Sequence, residues 1–231
     1  MEALLITSLG TSEDLHLLAA LVYYSRLRFI TNLLPLIQRA PSLRRIVTVG
    51  GGTLEGPIDP TDFPALRVPL LKIRGHLTTL ITLGLEAIAR AAPEVSFAHD
   101  YPGTVNTPLM THAKGLHGVL VRTYIGLFGR WVCVPTEESG ERHLYLATSS
   151  KFQPASGQNA GIQLGDGVEV AVGTTGEVSS GVYSVGWDCE SASPAVHELL
   201  AGLREKGMVD EIWRHTEGEY KRVSAKDGEP K

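Results

Sequence analysis

Short apolar runs rich in β-branched residues alternate with long stretches of helical periodicity through the first hundred residues, and that alternation leaves few architectures open. Leu4 to Thr7 is a short apolar run followed by Gly10, which suits a buried strand ending in a turn. Thr11 or Ser12 can cap the next helix, with Glu13 and Asp14 in its first turn, where carboxylates favour the helix dipole. Leu17, Leu21, Tyr24, Leu27 or Arg28, and Leu34 then mark an apolar face at three- and four-residue spacing, from about residue 14 to residue 38. Pro35 bends its last turns and Pro41 stops it. The run Arg45 to Val49 reads as a strand opening into Gly50-Gly51-Gly52. Those glycines either let backbone approach a ligand or supply turn geometry. Residues 53 to 69 hold four prolines and read as a long loop, of the kind that often carries function at a strand end. A second helix spans Leu70 to Ala91, and Gly84 inside it implies a close packing contact. Val95 to His99 is the next strand. Strand, helix, strand, helix, strand predicts a parallel sheet with helices on both faces.

Beyond Pro108 the pattern loosens. Gly115 to Val134 is the most apolar tract, yet His117, Arg122, Arg130 and four glycines make it a poor membrane span. A helical lid is the expected reading, with a surface-lying helix as the alternative. Thr136 to Gly140 starts a short helix, and Leu144 to Thr148 fits strand or helix. Residues 157 to 186 alternate in short pieces such as Val168 to Val172 and Gly181 to Val185, which fit edge strands with a flexible excursion, and Pro194 opens a helix through Leu203 that is interrupted at Gly207. The residues from Glu217 onward are polar and expected to fray.

The 231 residues carry 43% hydrophobic and 20% charged side chains, which excludes wholesale disorder. A net charge of −4 without a basic block gives no case for nucleic acid. Two cysteines, Cys133 and Cys189, make no disulfide framework. Cytoplasmic localisation, with no nucleic-acid partner and no membrane association, is the resulting expectation.

The junction after Val95–His99 carries the strongest local signal, because ligands of parallel sheets lie beyond the carboxyl ends of the strands. Pro102-Gly103 fixes a tight path there. Thr104 and Thr107 are placed either to hydrogen-bond an amide-bearing ligand or, for Thr107, to cap a helix before Pro108. Four stretches taken in order resemble the short-chain dehydrogenase/reductase family. They are the Thr11–Leu34 helix, the Arg45–Val49 strand, the Leu70–Ala91 helix and Pro102-Gly-Thr-Val-Asn-Thr-Pro108. The last looks like the loop that holds the nicotinamide end of the cofactor. The resemblance, closest to fungal members of secondary-metabolite pathways, implies NAD or NADP as cofactor and a small carbonyl or alcohol as substrate. It makes Pro102, Gly103, Val105 and Thr107 the nicotinamide-side contacts.

The departures from the family are equally specific. Matching Leu4–Thr7 to the family's fourth strand implies a partial Rossmann-like α/β fold missing its first strands and the glycine-rich phosphate turn. Residues 1–214 are expected to form that single partial domain and residues 215–231 a polar, flexible tail. The family's catalytic tyrosine falls at Leu70, its lysine at Arg74 and its serine near Gly50 or Gly51. Leucine cannot transfer a proton, so the catalytic residues are unknown. Arginine keeps the charge for a ribose or phosphate, making Arg74 a candidate cofactor contact. Tyr23 and Tyr24 read as packing residues. The alternative function is a catalytically inactive, truncated homologue that binds or scaffolds, with a second copy or a partner chain over its exposed sheet. His76, His99 and Asp100 are a weak base-and-orienter set without a nucleophile elbow. His112 and His117 lack further metal ligands, and Trp131, Trp187 and Trp213 read as packing residues.

Overall fold

The computed structural model describes residues 10–105, 107, 115–158 and 161–227. Three strands, β1 (Arg45–Val49), β2 (Ser96–Asp100) and β3 (Val182–Val185), form a parallel sheet in the order β1-β2-β3. Arg45 faces Ser96 and Val49 faces Asp100 across the first pair, and Phe97 faces Val182 across the second. This is the expected α/β architecture: an open, three-stranded parallel sheet rather than a full Rossmann sheet. The Leu4–Thr7 strand lies outside the described residues.

The first helix, α1, joins three segments end to end: Leu17–Ala19, a π-helical stretch Ala20–Tyr24, and Ser25–Gln38. It starts later than the sequence implies. Asp14 has φ +59°, outside the helical region, and the His16 side chain caps by accepting the Leu18 N–H at 3.2 Å. The π turn inserts a residue into the helical phase. Tyr23 and Tyr24 are therefore both buried, whereas Leu21, expected on the apolar face, is exposed.

Helix α2 (Leu70–Ala91) crosses between β1 and β2 and is buried along most of its length. A Cβ on Gly84 would lie 2.5 Å from Leu27 Cδ1, so this glycine admits α1. Helices α3 (Gly115–Val132) and α4 (Thr136–Thr148) follow β2, so Leu144 to Thr148 is helical. In α3, Leu127 and Trp131 are exposed, as is Trp187 after β3, so Trp131 and Trp187 are not core residues. No helix among the described residues is long and apolar enough to cross a membrane.

Helices α5 (Pro194–Glu205) and α6 (Met208–Asp227) close the fold. Across the stretch expected as a tail from residue 215, α6 continues to Asp227 and docks on the body. Thr216 Oγ1 lies 2.6 Å from the Tyr23 hydroxyl, and the Tyr220 hydroxyl donates to the Tyr24 carbonyl at 2.8 Å. Val209, Ile212, Thr216 and Tyr220 recur at three- and four-residue spacing inside a charged sequence, and that narrow stripe is what the composition conceals.

The core has two parts, divided by the sheet. Phe97 and Val182 face α1, α2, α5 and α6, while Val47, Tyr183 and Val185 face Leu146 of α4 and Phe152. The two-residue period of the strands makes this division.

Candidate functional site

A cavity of about 400 Å³ opens at the carboxyl end of β1, between α1 and α2. Leu18 and Val22 of α1 and Ile73, Leu77 and Ile81 of α2 form apolar walls. Gly50 and Gly51 line it from the sheet side, and Arg26, Arg74 and Thr78 add the polar groups. Four-residue spacing on both helices builds it: Leu18, Val22, Arg26 on one side and Ile73, Leu77, Ile81 on the other.

The glycine tract has its role decided by its neighbours. A Cβ on Gly50 would lie 2.8 Å from His99 Nε2, one on Gly51 2.3 Å from Thr78 Oγ1, and one on Gly52 2.0 Å from the His99 carbonyl oxygen. The protein's own atoms fill these spaces. The tract is a close crossing of the strand ends and no phosphate cradle.

Beneath it runs a buried polar chain. The Gly51 N–H donates to His99 Nε2 at 3.1 Å, which leaves the ring proton on Nδ1, 2.8 Å from Thr82 Oγ1. Thr82 donates to Glu55 Oε1 at 2.7 Å, and Ser184 donates to the same oxygen at 2.6 Å. Burial pushes His99 down to about 3, assisted by the charge on Arg26, so the ring is neutral. Burial also raises the Glu55 carboxyl, against the pull of its hydroxyl donors. This chain was not read from the sequence; Glu55 sits in a proline-rich loop with no spacing that ties it to Thr82 or Ser184.

Asp100, the next residue on β2, points to the other face. Its Oδ2 lies 3.0 Å from His143 Nε2, and His143 Nδ1 lies 2.6 Å from the Ser139 carbonyl oxygen, which can only accept. Burial lifts the Asp100 carboxyl to about 6, against the effect of His143. His99 and Asp100 therefore do not form one site. His76 is also satisfied elsewhere, accepting from the Asp59 N–H at 3.1 Å with Nε2 3.3 Å from the Phe63 carbonyl oxygen.

The sequence-predicted contacts separate into two groups. Arg74 is exposed at the start of the second turn of α2, lines the cavity, and sets its guanidinium carbon 4.9 Å from the Tyr101 ring centroid. Tyr101 leads into Pro102 and Gly103, so Arg74 joins the cavity to that loop. Gly103 has φ +76°, and a Cβ there would lie 3.0 Å from Trp187 Cβ. Val105 pairs instead with Val134, whose N–H donates to the Thr104 carbonyl at 2.8 Å, so it is held toward α4. Thr107 is half-buried. None of Pro102, Gly103, Val105 or Thr107 lines the cavity. His112 lies outside the described residues, and no group of metal-ligating side chains occurs among the described residues. Tyr23 and Tyr24 pack against α6, as expected, with Tyr24 2.7 Å from His215 Nε2.

A parallel sheet with a cavity at its strand ends is a frame that many activities share. Comparison with known sequences narrows it. No family model matches the chain, and no solved structure matches it. It is 35% identical over 207 residues to the oxidoreductase andH of Emericella variicolor, covering 87% of this chain and 60% of that protein. It is 35% identical over 202 residues to the NmrA-like family domain-containing oxidoreductase notO of an Aspergillus species, covering 85% and 54%. It is 30% identical over 212 residues to the short-chain dehydrogenase/reductase SAT2 of Stachybotrys chartarum, covering 89% and 58%. The chain is similar to these fungal oxidoreductases over most of its own length. It spans between 54% and 60% of the length of these three relatives. Within the family frame, the cavity occupies the strand-end position where ligands of such sheets bind, and Arg74 is the cation that reaches it from α2. Leu70, where the sequence resemblance sets the family's tyrosine, is half-exposed and carries no proton to give.

Proposed function

We propose that this chain is an NAD- or NADP-dependent oxidoreductase of the short-chain type, acting on a small carbonyl or alcohol in a fungal secondary-metabolite pathway. Its described residues form the nicotinamide-side wall of the site. The observation that carries this reading is Arg74, whose guanidinium stands both at the cavity and over Tyr101 at the head of the Pro102–Thr107 loop. In this reading Arg74 would hold a ribose or phosphate oxygen, and the loop of Pro102, Gly103, Val105 and Thr107, which lies beyond the cavity lining, would have to turn toward it to edge the ring. The bound nicotinamide supplies hydride chemistry. The pyrophosphate finds no fit in the glycine tract, whose free space the protein's own atoms fill.

A second reading is a catalytically inactive homologue that binds or scaffolds, and one observation favours it. Among the described residues, the ionisable side chains lining the cavity are Arg26 and Arg74, neither able to act as a proton donor at neutral pH. The open sheet leaves room for a second copy or a partner chain beside it.

Calorimetric titration of the full chain with NADPH and NADH tests both. Saturable binding is expected, weakened about fivefold in Arg74→Ala, the equivalent of about 1 kcal/mol. Absence of binding up to about 1 mM of either cofactor sinks the first reading. Binding without turnover of any carbonyl or alcohol in a broad panel selects the second.

A further inference from the structure

The cavity between α1 and α2 combines features of which the cofactor reading uses only Arg74. Its walls are apolar, yet among the described residues its polar groups include two guanidinium groups and no carboxylate. Arg26 is half-buried, and burial lowers its pKa, so the fold holds this charge against a desolvation cost. Among the described residues its one hydrogen bond goes to the Val49 carbonyl at the end of β1. A guanidinium has five N–H donors, so most of its capacity is unspent. Arg74 makes no ion pair among the described residues and rests on the face of Tyr101. Two cations in one concave apolar space ask for an anion that brings its own hydrocarbon.

We infer that the cavity takes a small monocarboxylate with an apolar body, its carboxylate held by Arg26 and by the N–H donors of Arg74 that a ribose oxygen leaves free, and its hydrocarbon part against Leu18, Val22, Leu77 and Ile81. This deepens the proposed function by naming the substrate class, and it rests on that reading only for the reaction, since binding itself needs no cofactor. The volume is within the range of ordinary small-ligand sites. Planar guanidinium groups suit carboxylate oxygens better than an ammonium would, because two N–H bonds run parallel. The half-buried position of Arg26 strengthens such a pair relative to one in open water. A bare phosphate would satisfy the charge and leave the walls uncovered, whereas an alcohol would cover the walls and leave the charge.

Octanoate, 1-octanol, octylamine, inorganic phosphate and 2′-AMP, each titrated into the cofactor-free full chain by calorimetry, make the test. Octanoate is expected to bind at least about tenfold more tightly than 1-octanol, with octylamine weaker than both. Arg26→Gln and Arg74→Gln are each expected to cost octanoate about tenfold while changing 1-octanol little. Thermal melting of each variant confirms that it is folded. Equal binding of octanoate and 1-octanol, or octanoate affinity unchanged in both variants, overturns the inference. So does inorganic phosphate or 2′-AMP binding as tightly as octanoate, which would assign the cations to a bare anion or to the cofactor. Failure here is separable from failure of the oxidoreductase reading: octanoate binding without NADPH binding keeps the inference alone, and NADPH binding without octanoate binding keeps only that reading.

Discussion

His99 and Asp100 are neighbours on β2, both buried, and they sit in opposite electrostatic regimes. The His99 side is closed. Its two ring nitrogens are committed to Gly51 and Thr82, and burial has removed its charge. The Asp100 side stays titratable: burial lifts its carboxyl to about 6, against the effect of His143, whose Nε2 lies 3.0 Å away. Strand alternation alone separates the two, since consecutive side chains leave opposite faces of the sheet. The lesson is that a strand end can carry two titratable groups of opposite pH response a single residue apart.

The largest effect is expected where both sides depend on one backbone path. Gly52 runs over the strand ends so closely that a Cβ would lie 2.0 Å from the His99 carbonyl oxygen and 2.7 Å from that of Val185. Both obstacles are backbone, so no side-chain rotation relieves them. Gly52→Ala is expected to lose about 3 kcal/mol or more, in the range of severe overpacking. Urea unfolding followed by far-ultraviolet dichroism measures it. A loss below about 1 kcal/mol would show that the tract is not pinned to the sheet and that the His99 side is looser than described.

The second effect is a pair of opposed slopes. His99 is depressed from 6.5 to about 3, so its contribution is present above pH 6.5 and is lost as pH falls toward 3. Asp100 is raised from 3.8 to about 6, so its contribution is present below pH 3.8 and is lost as pH rises through 6. Between those limits each slope approaches about 1.4 kcal/mol per pH unit, with opposite sign. Asp100→Asn should therefore make stability, relative to the parent, rise with pH across this window, and His99→Gln should make it fall. Denaturant midpoints across the window read the difference directly. Parallel curves for parent and variant would remove the assigned regime from that residue.

What was legible in the sequence follows the same division. The Leu70–Ala91 helix, the Arg45–Val49 strand and the parallel order came through because their signals are local, in periodicity and β-branched runs. Arg74 was legible as a retained charge. Arg26 was missed, although its place after Leu18 and Val22 at four-residue spacing marks the wall it completes. Glu55, Thr82 and Ser184 were not legible, because their contacts join residues 27 and 129 positions apart. Only the sheet order brings them together. The start of α1 was misread because a left-handed Asp14 and a π turn leave no local mark that separates them from an ordinary helix start.

The smallest effect probes whether the face carrying His99 truly extends to the end of α6. Thr216 is fully buried, bonds the Tyr23 hydroxyl at 2.6 Å and also reaches the Ile212 carbonyl at 2.8 Å. Thr216→Val keeps the volume and leaves the Tyr23 hydroxyl without this partner. The expected cost is about 1 to 2 kcal/mol, that of one buried hydroxyl losing its bond. Tyr23→Phe in the same background should recover part of it, because removing both polar groups is close to neutral where removing one is not. A double-mutant cycle in urea gives the coupling. A coupling of zero would mean that the hydroxyls do not meet in solution, and the residues from 215 onward would return to being a tail beside the fold instead of a wall of its core.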